Sequence, residues 1–479
     1  MSLVINSNIS SLMAQNNLSK SQSALSQATE RLSSGLKINS AADNAAGFAI
    51  SQRYTTQIGG LNQASANASD AINLAQTAGS ALDQVTSNLQ AIRDLAVQSA
   101  NGTYTASDRA SINQEVQQRL AEITRIANQT TFNGSNVLNG SLGTKSFQVG
   151  ADVGQTISVN LSTDVKASAM GQVAEVSSGA LVLGGTATGT AAAASFNFSG
   201  ANAETFSVDG NTVTLNSNVT NEAGLASAVQ SQLNAASPGT YTVSVNSGTG
   251  GLEIANNSVG GAAPAITGAA AGLTAVFGGT PTTAAAPNLS SEGLSINGTA
   301  VSLSGAQSMQ DISDAINAAG ITGVTAAVNG NGNGINFYSS GALTIADTGG
   351  NMIGANATNG NTGAAYTAGS SVSASGSLAN GNVNSVDSAN DLISRIDVAL
   401  QSVSNFAAQL GAVQNRFQST ISTVAAQTTN LQASQSTIQD ADFAAETANL
   451  SKAQVLQQAG ISVLAQANSN PQQVLKLLQ

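Results

Sequence analysis

The C-terminal part of the chain places an apolar residue at every seventh position, and this seam constrains the fold more than any other feature. Seven successive apolar residues at this spacing are typical of a helix in coiled-coil packing. No proline occurs between Pro287 and Pro471, so one helix starting near Ile396 can span roughly 45 residues, or about 65 Å. The seam consists of Ile396, Val403, Leu410, Phe417, Val424, Leu431 and Ile438, with Ala399, Phe406 and Val413 filling its second half.

Three further helical segments are predicted in the N-terminal part. The first carries Leu18, Leu25 and Leu32 seven residues apart, and the second has apolar residues at mixed three- and four-residue spacing over 72–96. Ser107 is the predicted N-cap of the third. Because both ends of the chain carry matching apolar stripes, we expect the two ends to pack together, with the middle as an insertion.

A small β-hairpin is predicted after the third helix. Asn-Gly pairs at 133–134 and 139–140 break the helical pattern. Apolar and polar residues then alternate over 147–149 and again over 157–161, which is typical of two antiparallel strands.

Charge divides the chain into two neutral ends and an acidic middle. The 14 Lys and Arg and the 25 Asp and Glu give a net charge of −11. No Lys or Arg occurs between Lys166 and Arg395, and this middle segment holds 11 of the acids, so the ends balance 14 against 14. A phosphate backbone needs several basic residues on one face, so we expect no nucleic-acid partner. Neutral ends suit repeated self-packing, because charged interfaces would accumulate repulsion.

The middle contains an internal repeat with a period of 88 residues. A two-strand hairpin on an Asp-Gly turn at 209–210 recurs on an Asn-Gly turn at 297–298, and a short helix and two alternating strands follow each copy. The second helix has Ser308 three residues before an acid, which is a capping-box-like start. The pattern predicts two ββαββ modules, near 171–280 and 289–386.

The residue types that carry most enzyme chemistry are missing. The chain has no Cys and no His, which excludes disulfides, thiolate nucleophiles, His-ligated zinc and Ser-His-Asp hydrolysis. No carboxylate pair or phosphate-binding loop is recognisable, and the Gly-Asn run at 329–334 contains no carboxylate for calcium. We predict no catalytic residue, no cofactor site and no metal site.

The sequence also lacks membrane signals. No stretch of 18 or more apolar residues occurs, so no membrane insertion is expected. The first positive charge is Lys20, so no Sec signal peptide is expected, and the protein is either cytosolic or exported by another route.

The helical ends fit either an ordinary monomeric bundle or a self-assembling one. The outermost pieces, 1–36 and 442–479, carry Gln, Asn, Ser and Ala where a solvated helix usually has Glu–Lys pairs. They also contain few large apolar residues, and isolated helices are marginally stable. Both observations favour self-assembly, in which identical neighbours order the ends.

Long motifs occur at both ends of the chain. They are QNNL at 15–18, ERLSSGLKINSA at 30–41, DNAAG at 43–47 and LAVQSAN at 95–101, then LGAVQNRF at 410–417, IQDAD at 438–442, QQAG at 457–460 and SVLAQAN at 462–468. With these motifs the chain resembles the bacterial flagellins over roughly 1–165 and 390–479. Ile296-Asn297 resembles a dipeptide repeated in that family, whereas the first module has Val208-Asp209 at the matching place.

The resemblance implies an α+β multidomain fold. Long terminal α-helices would form a coiled-coil or helical bundle with a β-hairpin, and two mainly-β, ββαββ-like outer domains would be inserted. The implied domains are 1–42 and 440–479 as channel-lining terminal helices, 43–170 and 389–439 as the tube wall, and 171–288 and 289–388 as outer variable modules.

The resemblance also implies a function and partners. It implies a structural subunit, not an enzyme, that is exported through the flagellum-specific type III apparatus and polymerises into the extracellular filament used for swimming. The implied partners are further copies of the chain, the cap protein, hook-associated junction proteins and an export chaperone. The predicted polymerisation seam is Ile396, Val403, Phe406, Leu410, Val413, Phe417, Val424, Leu431 and Ile438 with Leu18, Leu25 and Leu32.

A Toll-like innate receptor of animals senses the wall domain of many flagellins. The positions that match that surface are Arg93, Leu95, Glu115 and Arg119. Ala91 stands where many recognised flagellins carry an Arg, so the resemblance predicts weakened recognition.

Two alternative functions stay open. A hook–filament junction protein shares the logic of the terminal helices, although the dense motif matches over 410–468 favour a flagellin. A secreted adhesin or glycan-binding protein built on the β modules would need an aromatic-lined cleft, and aromatic residues are only 3% of the chain.

Overall fold

The computed structural model describes residues 8–354 and 356–477. The outermost parts of the predicted terminal segments, residues 1–7 and 478–479, lie outside the described residues. Within the described part, the helices are α1 (Ile9–Ser34), α2 (Ala45–Ala100), α3 (Ala106–Gln129), α4 (Glu222–Ala236), α5 (Ala270–Phe277), α6 (Met309–Ala318), α7 (Val386–Gln439) and α8 (Phe443–Leu477).

The chain forms two compact units. The first, here called the terminal unit, comprises Met1–Gln76, Thr144–Asn160 and Gln409–Gln479. The second, the central unit, comprises Thr77–Gly143 and Leu161–Ala408. Their boundaries fall inside the two longest helices, so α2 and α7 each contribute one part to each unit.

The two ends of α1 have clear stop and start signals. The side chain of Asn8 accepts a hydrogen bond from the Ser11 N–H at 3.1 Å, which caps the first turn. Gly35 ends the helix in the left-handed region at φ +71°, and its N–H donates to the Arg31 carbonyl. The chain beyond Gly35 then pairs with the connection between α7 and α8, because Lys37 N–H donates to Gln439 O at 2.7 Å.

The long helices confirm that the residues of the seam lie on one helix and correct two predicted starts. Helix α7 is a single helix of 54 residues that begins at Val386 rather than near Ile396. Helix α3 begins two residues earlier than expected, with Thr105 and not Ser107 as its N-cap. The Thr105 hydroxyl accepts from the Asp108 N–H while the Asp108 carboxylate accepts from the Thr105 N–H, so both orphan donors of a capping box are satisfied.

The predicted hairpin after α3 is present, and a smaller one precedes it. The Val149 N–H donates to the Gln155 carbonyl at 2.8 Å and closes the larger hairpin. The smaller hairpin turns on Asn133 and Gly134, both at positive φ, a conformation that suits these residues. The strands are β1 (Thr131–Phe132), β2 (Ser135–Asn136), β3 (Gly143–Gln148) and β4 (Thr156–Leu161).

The first outer module contains the predicted ββαββ order in two separate sheets. The strands from this part of the chain are β5 (Ala174–Ser177), β6 (Thr186–Thr188), β7 (Glu204–Val208), β8 (Asn211–Leu215), β9 (Tyr241–Val245), β10 (Leu252–Asn256), β11 (Ile266–Gly268) and β12 (Thr282–Ala284). Strands β7 and β8 pair around Asp209 and Gly210, and α4 then leads into the β9–β10 pair. The sheets have the orders β11-β7-β8 and β12-β6-β10-β9.

The second outer module repeats this order and adds a strand from far upstream. The strands are β13 (Leu294–Ile296), β14 (Thr299–Ala300), β15 (Val324–Val328), β16 (Ile335–Ser339), β17 (Leu343–Asp347), β18 (Thr358–Asn359) and β19 (Ser371–Val372). The sheets have the orders β14-β13-β17-β19 and β15-β16-β5-β18. Strand β5 lies within 171–280, the range predicted for the first module, but it pairs antiparallel with β16, with Val176 opposite Phe337.

The repeated turn residue has the same structural role in both modules. Asn297, at φ +50°, accepts from the Thr344 N–H at 2.8 Å and donates to the Ala342 carbonyl, so it fixes β17 beside the turn. Asp209, at φ +47°, accepts from the Ala265 N–H at 2.7 Å just before β11. A short amide or carboxylate side chain in the left-handed region thus ties the hairpin to a third strand.

Each outer module has its own apolar core. In the first, Phe206 and Phe277 meet edge to face with ring centroids 5.1 Å apart, among residues of both sheets and of α4 and α5. In the second, Phe337, Ile312 and Ile345 are buried together between the two sheets and α6. The predicted cap of α6 is confirmed, because Ser308 accepts from the Asp311 N–H.

Candidate self-assembly surface

Helices α1 and α8 lie side by side in the terminal unit and run in opposite directions. At one end of the pair, Asn8 Nδ2 donates to the Ala467 carbonyl at 2.8 Å, and Ser11 Oγ donates to Asn468 Oδ1 at 2.8 Å. At the other end, Arg31 Nη1 lies 3.9 Å from Glu446 Oε2. Residue numbers that increase along α1 therefore lie beside residue numbers that decrease along α8, so the two helices are antiparallel.

Small side chains line the contact between these two helices. The buried apolar residues of the pair, within the described part of the chain, are Ala14, Ala28, Ala453 and Ala467. Complete burial of one Leu or Ile contributes about 1.5–3 kcal/mol, and an Ala contributes much less. The pair is therefore held weakly by its own interior.

Large apolar side chains on the same helices face away from the chain. Ile9, Leu12 and Phe443 are 61%, 62% and 65% exposed. Eight of the twelve large apolar residues that are exposed in the described chain belong to α1 or α8, and such a concentration of exposed apolar side chains on two helices indicates contact with other protein. We call these eight residues the terminal apolar surface: Ile9, Leu12, Met13, Phe443, Val455, Leu456, Ile461 and Val463.

Charge is sparse around this surface. Helices of 26 and 35 residues carry only six charged residues between them. A helix that faces water along its length usually carries many opposite-charge pairs. The low charge and the exposed apolar residues together favour a face that is covered by protein in the assembled state.

The structure places most of the predicted α7 seam inside the single chain. In the central unit, Ile396, Val403 and Phe406 are buried. In the terminal unit, Phe417 meets Phe147 of the hairpin edge to face, with ring centroids 5.8 Å apart. The buried seam residues are Ile396, Val403, Phe406, Leu410, Phe417 and Val424.

The other predicted seam residues are half-buried. They are Val413, Leu431 and Ile438 on α7 and Leu18, Leu25 and Leu32 on α1. Residues that the chain itself covers stabilise the subunit, whereas half-buried residues leave area for a neighbour. A role of the seam in polymerisation stays a prediction.

Sequence reasoning missed the terminal apolar surface. The spacing of Leu18, Leu25 and Leu32 drew attention to one stripe of α1, while Leu12 and Met13 lie off it. The available signal was composition, because apolar residues without nearby charges occur on more than one face of each terminal helix. An apolar period does not by itself distinguish a face covered by the same chain from one covered by a copy.

The four residues of the expected receptor surface lie in the central unit on α2 and α3. Arg93 Nε donates to Asp397 Oδ1 at 2.7 Å, and this hydrogen bond raises the pKa of Arg93. Arg119 and Glu115 form an ion pair one helical turn apart at 2.8 Å. Glu115 is exposed, whereas Arg93, Leu95 and Arg119 are half-buried.

A buried ionic cluster surrounds Arg395 in the central unit. Arg395, only 5% exposed, lies 2.7 Å from Asp391 Oδ2 and 3.9 Å from Glu175 Oε2. It also donates to the carbonyls of Gly171 and Ser375. Burial is the main cause that raises the pKa of Glu175 to about 7, followed by the nearby Asp391. The guanidinium thus joins α7 to the strand β5 region.

A cavity of about 370 Å³ adjoins this cluster. It is lined by β15 and β16 on one side and by α7 on the other, including Tyr338, Asn390 and Ser394. Its lining also includes Asp397, which is paired with Arg93. The arrangement positions the second module on α7.

Within the described residues, no group of three or more Asp or Glu is placed to hold a metal ion. Residues 8–354 and 356–477 include no helix with the length and hydropathy of a membrane span.

Comparison with known proteins decides the family. The bacterial flagellin N-terminal helical region matches residues 5–142, and the bacterial flagellin C-terminal helical region matches residues 393–478. The flagellin of Salmonella typhimurium is 37% identical over 522 aligned positions, which cover all of both chains. The chain belongs to the bacterial flagellin family. The B-type flagellin of Pseudomonas aeruginosa is 38% identical over 531 positions, again across both full chains.

A solved structure of FliC from Burkholderia pseudomallei is also similar. It is 25% identical, with coverage of 72% of this chain and 99% of that one, and the TM-score is 0.31. The identity to flagellins along the whole chain, not this superposition, carries the assignment. This flagellin is a structural subunit of the bacterial flagellar filament and is located in that extracellular filament.

Proposed function

We propose that this flagellin polymerises by burying the terminal apolar surface of α1 and α8 against neighbouring copies of the chain. The observation that carries the proposal is the concentration of exposed large apolar residues on these two helices. A lone copy leaves them in water, and a filament covers them. The same surface requires protection before assembly, which is the task proposed for the export chaperone.

The energetic argument rests on repeated burial in a polymer. Each Leu, Ile, Val or Phe that becomes covered contributes about 1.5–3 kcal/mol. Eight such residues per copy provide of the order of 10 kcal/mol, which can offset an association cost of about 4–15 kcal/mol. A heterologous contact between different faces of identical subunits generates an open helical filament.

The rest of the chain has a supporting role in this proposal. The ionic cluster at Arg395 and the buried residues of the α7 seam stabilise the subunit, and the described residues of the outer modules contain no group of three or more acids that could hold a metal ion. We therefore propose a purely structural function with no enzyme activity. The cap protein and the hook-associated junction proteins are proposed to contact the same terminal helices, since these helices form the joining surface of every copy.

Recognition by an animal Toll-like receptor is a separate proposal. Arg93, Leu95, Glu115 and Arg119 supply two ion pairs and one half-buried apolar side chain. Ala91 is half-buried on the same helix and offers no charge. A reporter assay should show weak potency for this chain and a gain for Ala91→Arg. Full potency that Ala91→Arg leaves unchanged would contradict the proposal.

The main test changes the terminal apolar surface without touching buried residues. The double variant Leu456→Ser/Ile461→Ser should raise the critical concentration for growth from filament seeds by at least about 100-fold, because two apolar side chains lose their burial. Sedimentation and electron microscopy measure the polymer. Val245→Ser, at an exposed apolar position of the first module, is the matched control and should assemble normally.

The outcome separates the proposal from a general loss of solubility or fold. Circular dichroism should show that the double variant melts like the parent chain, since both positions are already exposed. If this variant and the Val245→Ser control assemble equally well, the terminal apolar surface is not the joining surface.

A further inference from the structure

A groove of about 360 Å³ between α1 and α8 carries an excess of positive charge. Its charged lining residues are Lys20, Arg31, Lys452 and Glu446. Glu446 is 3.9 Å from Arg31, and the described part of the chain supplies no carboxylate to Lys20 or Lys452. Arg31 Nε is buried without a hydrogen-bond partner. The ammonium groups of Lys20 and Lys452 therefore remain for an acid from outside the chain.

One carboxylate on the same pair of helices lacks a partner. Glu30 is exposed on α1, and it forms no hydrogen bond or ion pair within residues 8–354 and 356–477. Other acids near the ends of these helices are already used. Asp43 accepts from the N–H groups of Asn39 and Ser40, and Asp442 accepts from the first N–H groups of α8.

The positions of these charges on α1 suit contact between different faces. With 100° of rotation per residue, Lys20, Gln27 and Arg31 share one face of the helix, and Glu30 lies roughly 80° away from Lys20. Glu30 thus points off the groove of its own chain. A donor face and an acceptor face that differ are what a heterologous, open-ended polymer requires.

We propose that Glu30 of one copy enters the α1–α8 groove of a second copy and pairs there with Lys20 and Lys452. The proposal rests on polymerisation through the terminal helices and names a specific ionic contact within it. The apolar surface supplies most of the affinity, and the ion pair sets the register between copies. Although α1 and α8 carry only six charged residues, this pairing would be enough to select one register between neighbouring copies.

A charge-swap experiment tests the contact in full-length protein. We expect Glu30→Lys and Lys452→Glu each to raise the critical concentration for seeded growth about 3- to 10-fold at low salt. The double variant Glu30→Lys/Lys452→Glu should recover most of this loss. High salt should narrow the difference between the parent and the single variants, because exposed charges are screened.

Control variants keep the test specific. Asp83→Lys makes the same charge change at an exposed acid on α2 and should have little effect on growth. Glu30→Gln removes the attraction without adding repulsion and should fall between the parent and Glu30→Lys. The five variants change only Glu30, Asp83 and Lys452, which are exposed helical positions, so their melting curves should match that of the parent.

The outcomes distinguish this contact from polymerisation itself. The parent chain could grow filaments while the double variant raises the critical concentration as much as the two single changes together. That result would refute the Glu30 contact and leave the proposed polymerisation through the terminal helices intact. If Glu30→Lys behaves like Asp83→Lys, the contact is likewise refuted. A parent chain that never extends seeds would refute both proposals.

Discussion

The second outer module and the α1–α8 pair differ in how far the chain itself covers their large apolar side chains. The module encloses Phe337, Ile312 and Ile345 within one chain. The helical pair encloses alanines and leaves Leu12 and Phe443 exposed. Both regions are poor in charge, so composition alone does not distinguish them. The difference teaches that the module covers its large apolar residues within one chain, whereas the terminal pair leaves several of its own exposed, as the proposed interface requires.

The charge of the two regions follows the same division. The segment between Lys166 and Arg395 is purely acidic, whereas the ends are neutral. Like charges on the outer modules oppose contacts between copies there, and neutral ends allow close contact. This distribution of charge is consistent with the proposed association through the terminal helices.

The largest expected effect breaks the core of one outer module. Phe277→Ala removes a fully buried ring that contacts Phe206, and we expect a loss of about 3–5 kcal/mol in the unfolding free energy of that module. Urea denaturation followed by circular dichroism measures it. Seeded filament growth should be unchanged, because the joining surface is elsewhere.

The contrasting variant sharpens this prediction. Leu12→Ala shortens an exposed side chain of α1 and should leave the monomer denaturation curve where it is while weakening filament growth. Should Phe277→Ala abolish growth, or Leu12→Ala destabilise the monomer by a similar amount, the division between complete and incomplete regions would fail.

The second effect concerns the buried acid that joins the second module to α7. Burial, and then Asp391, raise the pKa of Glu175 to about 7 in the folded chain from 4.5. An acid with a raised folded pKa gives stability that is complete below about pH 4.5 and is lost as the pH rises through about 7. The free energy of unfolding should therefore be higher at pH 5 than at pH 8, by about 1–3 kcal/mol.

Removal of that charge tests the cause. Glu175→Gln should reduce the difference in unfolding free energy between pH 5 and pH 8, and it should raise the unfolding free energy at pH 8. Asp83→Asn, at an exposed acid, is the control and should keep the slope of the parent. An unchanged slope in Glu175→Gln would show that another group titrates in this range.

The smallest effect tests the corrected start of α3. Thr105→Ala removes the hydroxyl that caps the helix and should cost about 1 kcal/mol of unfolding free energy. Ser107→Ala, inside the first turn, should change little, and it serves as the matched control. Equal losses in the two variants would argue against Thr105 as the cap.

Local signals predicted much of the fold. The seven-residue period predicted α7, the alternation around 147–161 predicted the hairpin, and Ser308 predicted the start of α6. The Asp-Gly and Asn-Gly turns predicted the repeated hairpins. Each of these features depends on residues that are close in sequence, so the chain itself contains the signal.

Long-range pairing and the outside of the molecule were harder to predict. Strand β5 pairs with β16 across some 160 residues, as Glu175 lies opposite Tyr338, and no turn signal connects them. The seam residues of α7 were expected at contacts between copies, although most are buried in one chain. Periodicity shows that a face is covered but not by which molecule, and the composition of the terminal helices was the only sequence signal for their exposed apolar residues.

Hydrogen exchange of the full-length chain tests the central claim most directly. In dilute monomer, the amides of α1 and α8 should exchange much faster than those of the buried parts of α2 and α7 and of the outer modules, and polymerisation should slow exchange in α1 and α8 selectively. Protection of α1 and α8 in the monomer equal to that of the module cores, with no further gain in the filament, would contradict the account.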